Sequence, residues 1–369
     1  MSDTSKIRVL IVDDSTVVRH ILSDIFKSEP TIEVVGSAAN GKLGLAQFEI
    51  LKPDLVTLDI EMPEMNGLET LAKIREKNKK IPVIMFSSLT QKGGIETLEA
   101  LGLGATDYVT KPTNEAGGLS AAKASLREQI LQKVLFFGGR EKREKLSVLD
   151  TSKTPLTSTL ARPSLGTSSR VDIVAIGVST GGPNALAEIF SKFPKNFPVP
   201  IVIVQHMPAY FTKVLAQRLS SQSVVQVQEG ETGGTLRSGQ ALIAPGGFHM
   251  ILQKNGNDIQ VKLNEEAPEN SCRPAVDPLF TSVSKCFGPH VLGVVLTGMG
   301  KDGLRGSESI RQAGGDVFVQ DEATSVVWSM PRYVAEAGLA SRVLPISGIA
   351  DEITRRVSVG RSVTPRSLL

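Results

Sequence analysis

The sequence has 369 residues, of which 41% are hydrophobic and 21% charged, and its 41 Lys/Arg against 38 Asp/Glu give a net charge of +3. This predicts two globular domains, or at most three, and excludes a disordered or fibrous chain, while the near-neutral charge gives no support for nucleic-acid binding. Two cysteines, short apolar runs and no signal-peptide core predict a cytoplasmic protein without a disulfide framework or membrane insertion.

The first region alternates strand and helix patterns. Its five predicted strands lie within IRVLIV, EVVGSA, DLVTLD, PVIMFSS and DYVTKP. Apolar strands separated by helices indicate a doubly wound parallel sheet. An amphipathic helix over LSAAKASLREQILQKVLFF then closes the domain, which we place at residues 1–137.

A basic, polar stretch follows. Residues 147–169 contain eleven Ser or Thr, two Pro and no aromatic residue. Such a segment buries too little apolar surface to offset its ordering entropy, so we predict a flexible linker over 138–170. A second domain is expected at 171–358, and 359–369 is expected to be a disordered tail.

The second region is longer and again alternates strands and helices. Parallel strands are predicted within VDIVAIGVS, PVPIVIVQH, VVQVQEG, QALIAPGG and VLGVVLTG. HMILQKN and DIQVKLN predict a hairpin that turns at NGND. The fold class is therefore α/β, with a five-stranded doubly wound domain linked to a larger, mainly parallel α/β domain that carries a hairpin.

Polar side chains end several strands of the first domain. Asp13 and Asp14 follow the first strand and Asp59 ends the third, while Ser87 and Lys111 end the last two. The carboxyl ends of parallel strands gather functional groups at one edge. Three crowded carboxylates repel unless a cation sits among them, and oxygen ligands of this kind suit Mg²⁺. A hydroxyl and an ammonium at the same edge suit phosphoryl oxygens.

This set resembles the receiver domain of two-component response regulators over residues 6–137. The resemblance implies that Asp59 accepts a phosphoryl group from a phosphohistidine, with a CheA-type histidine kinase as donor. It also implies that Asp13, Asp14 and the Glu61 carbonyl help Asp59 to hold Mg²⁺. Ser87 and Lys111 would sense the phosphate, and the Lys111–Pro112 bond would be cis.

The second domain offers a serine nucleophile. Gly177-Val178-Ser179-Thr180-Gly181 fits the G-x-S-x-G pattern, in which small residues allow a sharp turn from strand to helix. The following helix aims backbone N–H groups at the place where an oxyanion develops. The pentapeptide alone is weak evidence, since Gly-rich turns also bind phosphates, but a dinucleotide site is disfavoured because G-x-G-x-x-G is absent.

His206, at the end of a very apolar strand, is the best candidate for a general base among four histidines. His249 is interpreted as structural, and His20 and His290 as solvated. Asp302, in a Gly-rich loop after a strand, is the candidate acid. On chemistry alone Asp277 and Asp321 remain open alternatives, because both also lie in loops.

A second resemblance concerns residues 171–340. GVSTGG, QHMP, APGG-x-HM, RP-x-VD, LTGMGKDG, QDEATSVV and MPR occur in the order found in CheB-type chemotaxis methylesterases. The resemblance implies that Ser179, His206 and Asp302 act as nucleophile, base and orienting acid. It further implies that the Met299 backbone N–H belongs to the oxyanion hole and that this domain needs no cofactor.

Three places depart from the family pattern. Cys272 replaces a common His or Tyr, Ala275 replaces Ser, and Trp328-Ser329 replaces Tyr-Gly. We expect none of them to touch the triad, so they bear on substrate range and not on the reaction.

The combined resemblance implies a monomeric, phosphorylation-controlled hydrolase of glutamate methyl esters on methyl-accepting chemotaxis receptors, in a family of which many members are also glutamine deamidases. The alternative is a receiver-controlled serine hydrolase that acts on a non-chemotaxis protein or a small ester. A receiver driving a DNA-reading effector is disfavoured, because no compact basic helix-turn-helix segment follows residue 171.

Overall fold

A computed structural model describes residues 6–111, 118–256 and 258–361 with the exception of 148–168. The chain divides into two compact units, Met1–Thr159 and Leu160–Leu369. The prediction of a cis Lys111–Pro112 bond falls on Pro112, which lies outside the described residues, and most of the predicted linker and tail lies outside them too.

The first unit is built on a parallel sheet of five strands. Its strands are β1 (Ile7–Val12), β2 (Ile32–Ala38), β3 (Leu55–Asp59), β4 (Val83–Ser87) and β5 (Asp107–Thr110). They lie in the order β2-β1-β3-β4-β5, and every pair is parallel. Strands β3 and β4 are buried along their whole length, as the continuous apolar runs predict. The predicted five-stranded fold is confirmed.

Helices connect these strands. They are α1 (Thr16–Lys27), α2 (Gly41–Leu51), α3 (Gly67–Lys77), α4 (Gln91–Gly102) and α5 (Gly118–Ser147). Polar residues cap several of them: the Ser15 side chain accepts a hydrogen bond from the Val18 N–H at the start of α1. Helix α5 continues to Ser147, so the first residues of the stretch predicted as a linker are helical.

The second unit contains a parallel sheet of seven strands. They are β6 (Ile173–Val178), β7 (Ile201–Gln205), β8 (Gln226–Glu229), β9 (Gln240–Ile243), β12 (Val291–Val295), β13 (Asp316–Gln320) and β14 (Arg342–Leu344). Their order is β14-β13-β12-β6-β7-β9-β8, which puts β6 in the middle. The predicted hairpin is confirmed as β10 (His249–Asn255) paired antiparallel with β11 (Asp258–Asn264).

The helices of the second unit are α6 (Gly182–Phe190), α7 (Phe211–Gln222), α8 (Val276–Phe287), α9 (Leu304–Gln312), α10 (Met330–Glu336) and α11 (Ile346–Ser358). Their buried faces cover a sheet whose central strands β6, β7 and β12 have no exposed residue. No helix among the described residues is long and apolar enough to cross a membrane.

The sequence prediction missed two strands, β13 and β14. DVFVQ has only three apolar residues in a row, and RVL has two, so neither forms a run long enough to stand out from a loop. They pair through the register of the sheet, with Val294 opposite Phe318 and Val319 opposite Val343.

Candidate active sites

The first candidate site is an acidic cluster at the carboxyl edge of the first sheet. Ligand oxygens of Asp13, Asp14 and Asp59 all lie within 4.8 Å of one another. Asp13 and Asp59 are each 1% exposed, whereas Asp14 is exposed. A surface cavity of about 440 Å³ lies beside them, lined in part by Asp14 and Glu61. The register of β1 beside β3 brings the carboxylates together, as the sequence predicts.

Lys111 neutralises part of this cluster. Its Nζ lies 2.6 Å from Asp59 Oδ2 and 3.6 Å from Asp13 Oδ2. Burial opposes the charged form of Lys111, but the hydrogen bond to Asp59 and the charges of the three carboxylates together raise the pKa of this lysine. The Ser87 hydroxyl lies at the same edge and donates to the Gly93 carbonyl at 3.1 Å.

The single positive charge of Lys111 does not balance the three carboxylates of the cluster. Burial, with the neighbouring Asp13, raises the pKa of Asp59 to about 7. Asp13 Oδ2 is buried and has no hydrogen-bond partner among the described residues. The Glu61 N–H donates to Asp59 Oδ1 at 3.4 Å, so the Glu61 backbone adjoins the cluster. An orphaned buried carboxylate oxygen beside two further carboxylates fits a divalent cation with oxygen ligands.

The second candidate site begins where β6 ends. Ser179 follows the strand directly, and α6 starts three residues later behind Gly181, whose φ is 79°. A Cβ on Gly181 would lie 2.6 Å from the Val326 side chain, so this position needs glycine both for its backbone and for space. The strand, turn and helix are the context that the G-x-S-x-G pattern requires.

His206 lies beside Ser179 because β6 and β7 are neighbours. Val178 pairs with Gln205, and the His206 N–H donates to the Val178 carbonyl at 3.1 Å. The buried Gln205 amide donates to the Ser179 carbonyl at 2.9 Å and to the His206 carbonyl at 3.3 Å. The Gln205 side chain therefore links the backbones of Ser179 and His206.

Asp302 is the carboxylate that reaches the histidine. Its Oδ2 lies 2.7 Å from His206 Nε2, and it is 1% exposed. Asp302 also accepts backbone hydrogen bonds from Val276, Asp277 and Gly303 and a side-chain hydrogen bond from Asn270. The sequence also left Asp277 and Asp321 open as the catalytic acid. Asp277 accepts hydrogen bonds from the Gly303 and Gly306 N–H groups, and Asp321 accepts one from the Thr324 N–H.

The ionised form of Asp302 is stabilised. Burial alone would raise its pKa, but the hydrogen bonds from His206 and from backbone N–H groups hold that pKa below its usual value. Burial opposes the charged form of His206, yet Cys272 and Asp302 together raise the pKa of His206 above its ordinary range. The expectation that Cys272 does not touch the triad is therefore wrong: this thiol adjoins His206.

The Ser179 hydroxyl has no hydrogen-bond partner within the described ranges, so it does not reach His206 in this structure. Catalytic hydrogen bonds are often long before substrate binds. Because Asp302 occupies Nε2, the proposed triad requires Nδ1 to accept the serine proton.

A Gly-rich loop after β12 faces the serine. The Ser179 N–H donates to the Thr297 carbonyl at 3.0 Å, and a Cβ on Gly298 would lie 2.8 Å from the Ser179 Cβ. The buried Gln320 accepts from the Thr297 N–H at 2.8 Å and fixes this loop. Met299 follows in the loop, and its N–H finds no acceptor in the part of the chain that the structure describes.

The remaining three histidines make no hydrogen bond to the triad within the described residues. His249 is 1% exposed; its Nδ1 accepts from the Ala275 N–H at 3.2 Å and its Nε2 lies 3.1 Å from the Ala267 carbonyl. This geometry agrees with a structural role. His20 is exposed, and His290 binds the Arg170 carbonyl on the surface.

Sequence reasoning did not single out Gln205, Gln320 or Asn270. A weak signal existed for the first two, since each is a polar residue that ends an apolar strand, in PVPIVIVQ and DVFVQ. A polar residue buried there needs hydrogen-bond partners, and the neighbouring strand ends and loops supply them. Asn270 lies in a loop with no such pattern.

Comparisons with known proteins identify the family of each domain. The CheB methylesterase family model matches residues 174–353, and the response regulator receiver domain model matches 9–123. A protein-glutamate methylesterase/protein-glutamine glutaminase of Trichodesmium erythraeum is 51% identical over 352 residues, covering 95% of this chain and 99% of that protein. One of the same name from a Nocardioides species is 44% identical over 364 residues, covering 98% and 99%.

A solved structure supports the second fold. The catalytic domain of Thermotoga maritima CheB methylesterase is 42% identical, with a TM-score of 0.50, and covers 51% of this chain and 99% of that one. Because full-length relatives are 44–51% identical, the chain belongs to the CheB methylesterases. These hydrolases join a receiver domain to a methylesterase domain.

Proposed function

We propose that this protein hydrolyses glutamate methyl esters on chemotaxis receptors with a Ser179–His206–Asp302 triad and that phosphorylation of Asp59 controls the reaction. The observation that carries the proposal is the 2.7 Å contact of His206 with Asp302, one strand away from the Ser179 turn. The full-length relatives, named for this activity, support the substrate class.

In the proposed reaction Ser179 Oγ attacks the ester carbonyl while its proton passes to Nδ1 of His206. The tetrahedral intermediate then expels methoxide, which takes that proton and leaves as methanol. His206 then takes a proton from water, which attacks the acyl-enzyme. The proton passes on to Ser179 Oγ as glutamate is released. Asp302 keeps the imidazole in the required tautomer and stabilises its positive charge.

The negative oxygen of the tetrahedral intermediate needs backbone donors. The Met299 N–H belongs to a loop that Gln320 and Thr297 hold against Ser179, so it is our candidate donor. The same groups suit a glutamine side chain, whose leaving group is ammonia. Deamidation is therefore part of the proposal and needs no additional residue or catalytic cofactor.

In the first unit Asp59 is the proposed phosphoryl acceptor, and a CheA-type histidine kinase the proposed donor. Asp13, Asp14, Asp59 and the Glu61 carbonyl would hold Mg²⁺, which stabilises the charge on the transferring phosphoryl group. Ser87 and Lys111 would bind the phosphoryl oxygens. The added charge of about −1.5 to −2 biases a two-state equilibrium toward the active enzyme, which we expect to be a cytoplasmic monomer.

Mg²⁺ binding tests the acidic cluster directly. We expect titration calorimetry to detect Mg²⁺ binding to the full chain and Asp13→Asn to weaken it at least about 10-fold, because a buried ligand oxygen is lost. Asp24→Asn, which removes an exposed carboxylate on α1, is the matched control and should bind normally. Equal affinity of the two variants would contradict the proposed metal site.

The raised pKa of His206 predicts the pH dependence of the esterase. Only the neutral imidazole accepts the serine proton, so kcat/KM should rise with pH and reach its plateau above the ordinary histidine pKa of about 6.5. Cys272→Ala removes one cause of the raised pKa and should move this acid limb to lower pH. An acid limb near pH 6.5 that does not respond to Cys272→Ala would contradict the geometry.

A further inference from the structure

The turn Glu269–Cys272 lies just before α8 and adjoins both His206 and Asp302. Glu269 and Cys272 exchange backbone hydrogen bonds of 3.1 and 2.9 Å. The two central residues, Asn270 and Ser271, have φ values of 51° and 61°. Asn, Asp and Gly accept this left-handed conformation most readily, so the backbone alone restricts what stands at position 270.

The Asn270 side chain bridges two buried carboxylates. Its Nδ2 donates to Asp302 Oδ1 at 3.0 Å and to Asp277 Oδ2 at 3.2 Å. Asp302 is 1% exposed and Asp277 is 4% exposed. Neighbouring buried carboxylates repel each other, and an amide that donates to both offsets this repulsion without adding charge.

We propose that Asn270 is a positioning residue of the esterase, which acts on His206 through Asp302. This inference rests on the proposed triad. Asp302 uses Oδ2 for the histidine, and the Asn270 amide joins the backbone N–H groups of Asp277 and Gly303 in holding Oδ1, so it helps to fix the rotation of the carboxylate. Asp277 Oδ1 accepts the N–H groups of Gly303 and Gly306 at 3.0 and 2.8 Å, which joins Asn270 to the start of α9.

The charged groups around His206 predict in which direction the acid limb of kcat/KM moves when the Asn270 amide is lost. Asp302 and the Cys272 sulphur face the ring, Asp277 lies behind the Asn270 amide, and Arg305 Nε lies 3.7 Å from Asp277 Oδ2. The amide hydrogens are positive partial charges aimed at the carboxylates. Losing them makes the site more negative and favours the protonated imidazole, so the acid limb of kcat/KM should move to higher pH.

Two substitutions test this, since both suit the left-handed backbone. Asn270→Gly removes the amide, and Asn270→Asp replaces it with a third carboxylate. At neutral pH we expect kcat for methanol release to fall on the order of 10²-fold with little change in KM. The acid limb should move to higher pH in both variants and further in Asn270→Asp. Ser271→Gly, at the exposed neighbouring position, is the matched control and should behave as wild type.

The titration of His206 provides a readout without ester turnover. Four histidines make selective ¹⁵N labelling practical, and NMR would report the pKa of His206 in each folded variant. Wild-type kcat and an unmoved His206 pKa in both Asn270 variants would overturn the positioning role. Failure of the triad itself would be seen separately, as methanol release that survives Ser179→Ala.

Discussion

Ser179→Ala should abolish methanol release from a methylated receptor fragment, with a loss in kcat on the order of 10⁴- to 10⁶-fold. The hydroxyl is the only group that this substitution removes, and the turn after β6 keeps its shape because the Ser179 backbone is held by Thr297 and Gln205. Single-turnover assays of released methanol would measure the residual rate.

Ser329→Ala is a useful control for this result. The Ser329 hydroxyl donates to the Gly300 carbonyl at 2.9 Å, in the Gly-rich loop after β12, but Ser329 is no part of the proposed triad. We expect its rate to stay within a few-fold of wild type. A Ser179→Ala protein that hydrolyses the ester as fast as Ser329→Ala would exclude Ser179 as nucleophile.

Asp302→Asn should reduce kcat on the order of 10⁴-fold, the size of effect seen when another triad loses its carboxylate. The amide cannot stabilise the imidazolium and favours the wrong tautomer of His206. It also places an NH₂ group among backbone donors from Val276, Asp277 and Gly303, so thermal melting should accompany the rate measurement.

Asp321→Asn is matched to this test, since Asp321 is one of the two other carboxylates that the sequence leaves open. Its Oδ1 accepts hydrogen bonds from Thr324 at 2.6 and 3.0 Å, away from the histidine. Its activity should be nearly normal. Comparable losses in Asp302→Asn and Asp321→Asn would mean that the 2.7 Å contact with His206 does not identify the catalytic acid.

Much of the fold follows from local patterns. The strand ends of the first sheet predict the acidic cluster because β1 is followed directly by Asp13 and β3 ends in Asp59. In the same way Ser179 and His206 each follow a fully buried strand, and the structure makes those strands neighbours. Residues at the ends of adjacent parallel strands meet at one edge, which a sequence pattern is able to indicate.

Contacts made by irregular segments were not predictable in this way. The turn Glu269–Cys272 brings Asn270 to Asp302 and Cys272 to His206 through two left-handed residues and long-range packing. No periodicity marks such a turn, and the substitution of Cys272 for the usual residue says nothing about its distance from the histidine. Strand β14 has only three residues and needs β13 beside it to be recognised.

The most direct test of the whole account is methanol release from a methylated receptor fragment, measured with and without a small phosphodonor and Mg²⁺, in the wild type and in Asp59→Asn. We expect the phosphodonor to stimulate the wild type, while Asp59→Asn keeps a basal rate that the phosphodonor does not change, because the acceptor carboxylate is absent. Equal stimulation of both proteins would contradict control through Asp59, and no release from either would contradict the proposed receptor substrate.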